Sequence, residues 1–236
     1  MSGFESRYPC YNPGVETLES RAYEIRKRLL KTFGQPVWRV KLPPLDELIS
    51  TILSQNTNDV NRDRAFGGLR SAYPTWEQVR DAPQEDVIEA IRTAGLANQK
   101  GPRIQNVLRA ISEEVGSLDL TFLADMPTHE ARDWLLRFKG VGPKTAAIVL
   151  LFSLDKPAFP VDTHIYRVTG RLELRPEKMS ADQAHEYLEG LFPPDSYYNL
   201  HLNIIRLGRQ ICHARKPACQ DCILNDLCPY FDAQKV

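Results

Sequence analysis

Four cysteines stand close together near the C-terminal end of the chain, Cys212, Cys219, Cys222 and Cys228, in a C-x6-C-x2-C-x5-C run of seventeen residues. Thiolates are soft ligands, and four gathered in one place favour zinc or an iron–sulfur cluster over magnesium or calcium. Structural zinc sites usually present two short knuckles separated by a longer stretch. This run has a single x2 pair with one outer cysteine on each side. A bulky cluster, whose irons each take one cysteine, suits the uneven outer loops; zinc and packed core thiols are the alternatives that spacing leaves open.

A second constellation lies upstream, in Phe138-Lys139-Gly140-Val141-Gly142-Pro143-Lys144. Gly140, Val141 and Gly142 make a tight turn whose backbone N–H groups can point outward, and the helix that follows adds its positive end. A phosphate can approach because no Cβ blocks the glycines, and such a contact carries no sequence information. As plain structure, the same G-V-G is an ordinary helix connection. Lys144 stands in the first turn of a helix that is otherwise apolar, where the helix end and desolvation would both lower its pKa. A neutral amine can attack an electrophilic carbon and form a Schiff base. Asp162 follows in Phe159-Pro160-Val161-Asp162-Thr163-His164, at the N-cap position of a helix through Ile165 and Val168. A cap contributes ~1 kcal/mol. A carboxylate fixed there could also stabilise positive charge at an anomeric carbon and help deprotonate a nucleophile.

The elements that must position these groups read as helices almost throughout. Leu18, Ala22, Ile25, Leu29 and Phe33 recur at helical steps and Gly34 stops them; Leu45, Leu48, Ile49, Ile52 and Leu53 form the next stripe. The pattern predicts one helix over Pro83 to Ala94, closed by Gly95, then another through Ile104, Val107, Leu108 and Ile111. Thr128 opens a segment with Trp134 and Leu135, Ser180 and Gln183 form a capping box, and a long helix runs from about Ser196 to Cys212. About ten short helices with Pro- or Gly-marked connections make an all-α protein.

At 236 residues the chain can bury a full core and hold one or two domains. Its 42% hydrophobic and 25% charged residues are those of a globular protein. The longest apolar run, Ala146 to Phe152, falls short of the ~20 residues that span a bilayer, and no signal-like segment is read near the start. A cytosolic, reducing location is the expectation, with Cys10 an incidental thiol. Thirty basic and thirty acidic residues cancel, so any nucleic-acid contact needs a local basic face, such as Arg206, Arg209, Arg215 and Lys216.

Taken in order, G-V-G-P-K, V-D-T-H and the cysteine run resemble the endonuclease III family of helix-hairpin-helix DNA glycosylases, from about Leu45 to Tyr230. The resemblance implies that Lys144 and Asp162 are the catalytic pair and that the four cysteines hold a 4Fe-4S cluster. It implies that Gly140, Val141 and Gly142 form a DNA-binding hairpin. The family fold puts a six-helix barrel at about 37–156 and a cluster domain at 1–36 with 157–236, the catalytic cleft lying between them. The stretch from His213 to Ala218, with Arg215 and Lys216, is similar to a basic loop that contacts DNA phosphates. Ser54 to Asp59 resembles the loop that fills the gap left by a flipped base. Asn56 stands there where a glutamine is usual, and Gln55 could serve after a one-residue shift. Leu96 resembles a wedge on the opposite strand, with a core leucine as its structural alternative. The implied partner is double-stranded DNA containing damaged bases or abasic sites, bound by a monomer. The implied function is base excision repair by a bifunctional DNA glycosylase and abasic-site lyase, acting on oxidised pyrimidines through a lysine Schiff base and β-elimination. In a bacterium it would work at the nucleoid. A DNA-damage binding module of the same fold, with little turnover, is the alternative.

Overall fold

The computed structural model describes residues 17–37 and 40–234, so Cys10 lies outside the described residues. Among these there is no β-strand, as the helical periodicity predicts. The α-helices are α1 (Leu18–Phe33), α2 (Pro44–Ser54), α3 (Asp59–Ala72), α4 (Trp76–Asp81), α5 (Gln84–Ala90) and α6 (Ala97–Val115). They continue as α7 (Thr128–Leu136), α8 (Pro143–Ser153), α9 (Thr163–Arg171), α10 (Ala181–Leu191), α11 (Tyr197–Gln210) and α12 (Pro229–Asp232). No described helix is long and apolar enough to cross a membrane. The chain divides into two compact units, residues 40–160 and residues 17–37 with 161–234.

In the 40–160 unit, α8 is apolar on nearly every side, and Ala146, Ala147, Val149, Leu150, Leu151 and Phe152 are all buried. A helix of that kind belongs at the centre of a fold. It packs against α2 and α7, and each fully buried Leu or Ile contributes about 1.5–3 kcal/mol. The stripe Ile104, Val107, Leu108 and Ile111 turns α6 inward. Gln105, buried on the same helix, donates its Nε2 to the carbonyls of Val79 at 3.0 Å and Ala82 at 2.8 Å, tying the end of α4 to α6.

The single helix expected over Pro83 to Ala94 is instead broken. α5 stops at Ala90, Ile91 leaves helical geometry (φ −104, ψ 11), and Arg92–Ala94 form a separate 3-10 turn. The tighter turn makes i→i+3 bonds, from Ala94 N–H to the Ile91 carbonyl and from Gly95 N–H to that of Arg92. Gly95 then turns the chain with a φ of 66, a value glycine adopts freely.

In the other unit, α1 packs on α11 and α11 on α9, burying Ile25 and Leu29, Ile204 and Leu207, and Ile165 and Val168. Gly34 stops α1 as its sequence position suggests, at φ 73 and with its N–H on the Leu30 carbonyl. The Ser180–Gln183 capping box is present at the start of α10. Arg28 of α1 donates to the Ile223 carbonyl at 3.3 Å and pairs with Asp226 at 2.5 Å, bracing the cysteine-rich segment.

Candidate active site and iron–sulfur site

The hairpin between α7 and α8 is set by Gly140. Its φ is 98, and an added Cβ would lie 2.5–2.8 Å from the Arg103 side chain, so both backbone and space demand glycine there. Val141 donates its N–H to the Phe138 carbonyl at 2.9 Å and buries its side chain. Its one backbone donor is therefore spent inside the turn, and it is not among the N–H groups that the sequence expected to point outward. Gly142 differs from Gly140: its backbone is extended (φ −98, ψ 178) and nothing lies within 4 Å of an added Cβ. The protein's own packing therefore does not require glycine at 142, and the space before α8 is open. Pro143 begins α8 and Lys144 follows, half-buried. The Lys144 amine makes no hydrogen bond or ion pair with another described residue. Lys139 is exposed.

Two further loops of this unit carry expected site residues. Between α2 and α3, Gln55 Oε1 accepts from Arg103 Nη1 at 2.6 Å. Asn56 is exposed with a φ of 53, and Asn58 caps α3 through the Asn61 N–H at 2.9 Å. Leu96 is 47% exposed, which rules out the core-leucine reading. It adopts the left-handed conformation at φ 50, costing about 1–2 kcal/mol for a residue with a Cβ. Beneath both loops Lys100 is buried, donating its amine to the carbonyls of Leu53 at 2.7 Å and Ala94 at 2.9 Å. Sequence reasoning passed over Lys100 and Arg103. The available signal was Lys100's place one turn before Ile104, on the apolar stripe of α6.

In the second unit Asp162 caps α9: its Oδ1 accepts the Ile165 N–H at 2.8 Å. Its Oδ2 makes no hydrogen bond with a described residue and is left for other work. His164 lies 3.0 Å from Arg167 Nη2 through its Nδ1. Burial pushes the His164 imidazole below its ordinary pKa, against the opposing pull of Asp162. Arg167 also donates to the carbonyls of Gly208 and Cys212, each at 3.0 Å.

The four cysteines are free thiols, each half-buried. They ring one hollow together with Ile211, Pro217, Tyr230 and Phe231. Among the described residues no three His, Cys, Asp or Glu side chains are grouped as ligands of one ion. Arg171, another residue that the sequence did not single out, donates to Cys212 Sγ at 3.2 Å. It also holds the carbonyls of His213 at 2.7 Å and Ala214 at 3.1 Å, and lies over the Tyr230 ring. A soft four-sulfur donor set with apolar walls and a cation at one sulfur fits an anionic iron–sulfur cluster. The loop beyond Cys212 closes through Ala218 N–H on the Ile211 carbonyl at 3.0 Å. It leaves Arg215 and Lys216 exposed.

A family model described as an HhH-GPD superfamily base excision DNA repair protein matches residues 49–194, and one described as the iron–sulfur binding domain of endonuclease III matches residues 212–228. Endonuclease III of Sulfolobus acidocaldarius is 37% identical over 186 residues, covering 78% of this chain and 81% of that protein. A longer Arabidopsis thaliana relative is 34% identical over 172 residues, 73% of this chain but 59% of its own length. Among solved structures, a trapped covalent intermediate of an endonuclease III with DNA superposes with a TM-score of 0.81 at 26% identity, over 94% of this chain and 100% of that one.

Proposed function

Because the chain belongs to the endonuclease III family of base excision DNA repair glycosylases, we propose that it excises oxidised pyrimidines from duplex DNA and nicks the abasic site left behind, with Lys144 as nucleophile. The observation that carries this reading is the Lys144 amine, unpaired in the first turn of α8, next to a Gly142 whose missing Cβ opens the approach. A structural relative caught as a covalent DNA intermediate agrees with chemistry through an enzyme nucleophile.

The Gly140 and Gly142 amides and the exposed Arg215 and Lys216 hold phosphates, which positions the duplex without reading its sequence. Extruding the damaged nucleotide costs a few kcal/mol, less for a base that already pairs poorly. Leu96 enters the stack, and Asn56 fills the gap, since Gln55 is engaged by Arg103. The Lys144 nitrogen then bonds to C1′ of the deoxyribose. The C1′–base bond breaks, its electron pair leaving with the base, which takes up a proton. Asp162 accepts the lysine proton and stabilises positive charge at C1′ through the oxygen that its cap leaves unused. Ring opening gives a Schiff base; loss of a C2′ proton expels the 3′ phosphate by β-elimination, and water hydrolyses the imine to restore the amine.

A 4Fe-4S cluster held by Cys212, Cys219, Cys222 and Cys228 supplies a cross-link that fixes the 213–218 loop. Arg171 joins ligand and loop in the same role. The protein acts as a monomer where chromosomal DNA lies.

Single-turnover product analysis on duplexes carrying one oxidised pyrimidine tests the proposal. Free base and a β-eliminated strand are expected. Tight binding to the same duplex with neither product would mark a damage-binding module instead.

A further inference from the structure

Lys100 is the most deeply buried charged side chain among the described residues, 2% exposed, and its amine bonds only to the two main-chain carbonyls of Leu53 and Ala94. No carboxylate of a described residue pairs with it. Burying an ammonium is costly, so an apolar residue would fill this place more cheaply if filling were the requirement. What an apolar residue could not do is bond two carbonyls at once. Each of them lies at the root of a probing loop: Leu53 is one residue before Ser54, and Ala94 is one residue before Gly95. The two loop tips, Asn56 at φ 53 and Leu96 at φ 50, share a left-handed conformation, which for a leucine persists only where the surroundings enforce it. One turn further along α6, Arg103 holds Gln55 and lies across Gly140, where no Cβ stands in the way. A single helix therefore gathers the 54–58 loop, the 95–96 loop and the hairpin.

We propose that Lys100 is a positioning residue that locks the Asn56 and Leu96 loops at a fixed separation, so that both enter the duplex together, with Arg103 setting them against the hairpin. This rests on the proposed roles of those two loops. The clamp acts on base extrusion and not on the Schiff-base chemistry at Lys144, which makes the two separable.

The test compares Lys100→Met and Lys100→Arg with the wild type on two substrates. One is a duplex with an oxidised pyrimidine beside 2-aminopurine, whose fluorescence rises on unstacking. The other is a single-stranded oligonucleotide with a preformed abasic site, where no duplex needs opening. Misplacing groups by about 1 Å costs on the order of 100-fold, so K100M should lose about 10- to 100-fold in base release. It should also lose the fluorescence rise while nicking the single strand at nearly the wild-type rate. K100R, whose fork can donate to both carbonyls, should recover most of the loss. Equal losses on both substrates, no loss on either, or a K100R no better than K100M would each overturn the clamp. Should K100M fail to fold, Lys100→Gln, whose amide sits on a shorter stem and cannot reach as far as the lysine amine, must show the same split between substrates; an even loss overturns the proposal. A wild type that neither releases base nor nicks the abasic strand would sink the functional reading beneath it, an outcome distinct from an active wild type with an unselective K100M.

Discussion

Asparagine at position 162 separates the two tasks assigned to that side chain. Asp162 Oδ1 accepts the Ile165 N–H at 2.8 Å, and an asparagine carbonyl can accept the same bond, since the two residues cap about equally well. What Asp162→Asn loses structurally is a negative charge at the start of α9, worth about 0.3–1 kcal/mol. That corresponds to at most about 4 °C in Tm for a chain of this size. Asp162→Ala removes the cap as well and should cost a further 0.5–2 kcal/mol, roughly. Catalysis should rank the variants differently. Both remove the charge on the oxygen that the cap leaves unused, and losing one preorganised electrostatic group slows a reaction by about 10²–10³, or ~2.7–4 kcal/mol. Single-turnover base release at saturating enzyme, beside thermal melts of the same preparations, gives both numbers. The expected pattern is two comparably slow enzymes of unequal stability. An Asp162→Asn enzyme releasing base at the wild-type rate, or rates that follow the melting temperatures, would refute the reasoning and leave Asp162 as a cap alone.

Other substitutions probe neighbouring parts of the account. Gly142→Ala meets nothing within 4 Å of its new methyl group and should change stability by no more than about 0.5 kcal/mol. DNA affinity measured by fluorescence anisotropy should nevertheless fall, and unchanged affinity would contradict phosphate approach at that glycine. Purified protein should be yellow-brown, and Cys222→Ser should bleach it and lower its melting temperature; a colourless wild type with one bound zinc would overturn the cluster. Lys100 gives a pH prediction. Desolvation first, and the positive charge of Arg103 second, depress its amine below the usual 10.5. A lysine with its folded pKa below its unfolded one binds more proton when unfolded, so its contribution to stability rises with pH. The penalty is complete below the folded pKa and disappears as pH climbs past the usual value. The difference in denaturant midpoint between wild type and Lys100→Met should therefore shift in favour of the wild type on the alkaline side, and a flat difference contradicts a depressed amine.

What the sequence made legible was local. The unbroken apolar run after Lys144 announced an apolar helix, Gly34 announced the end of α1, and the density of Cys212 to Cys228 announced soft-metal chemistry without reference to any other part of the fold. The cap at Asp162 was readable for the same reason, its partner Ile165 being three residues away. What stayed hidden depended on partners distant in sequence. Arg171 reaches Cys212 across 41 residues, and Lys100 reaches the Leu53 carbonyl across 47. A lysine's pattern does not say which carbonyls will fold beside it. Leu96 was ambiguous because a leucine after glycine suits a core or a surface equally; only its packing decided. The break at Ile91 escaped because Val87, Ile91 and Ala94 are all buried, a spacing that one continuous helix would satisfy as well.

The central claim is that the Lys144 amine becomes bonded to a sugar carbon. Borohydride reduces such an imine to a stable amine, so incubating protein and abasic-site duplex with borohydride and resolving the mixture under denaturing conditions tests it directly. The account predicts a covalent adduct of protein and DNA that maps to Lys144 by peptide mass and is absent from Lys144→Gln. No adduct from the wild type, or an equal one from Lys144→Gln, would contradict it.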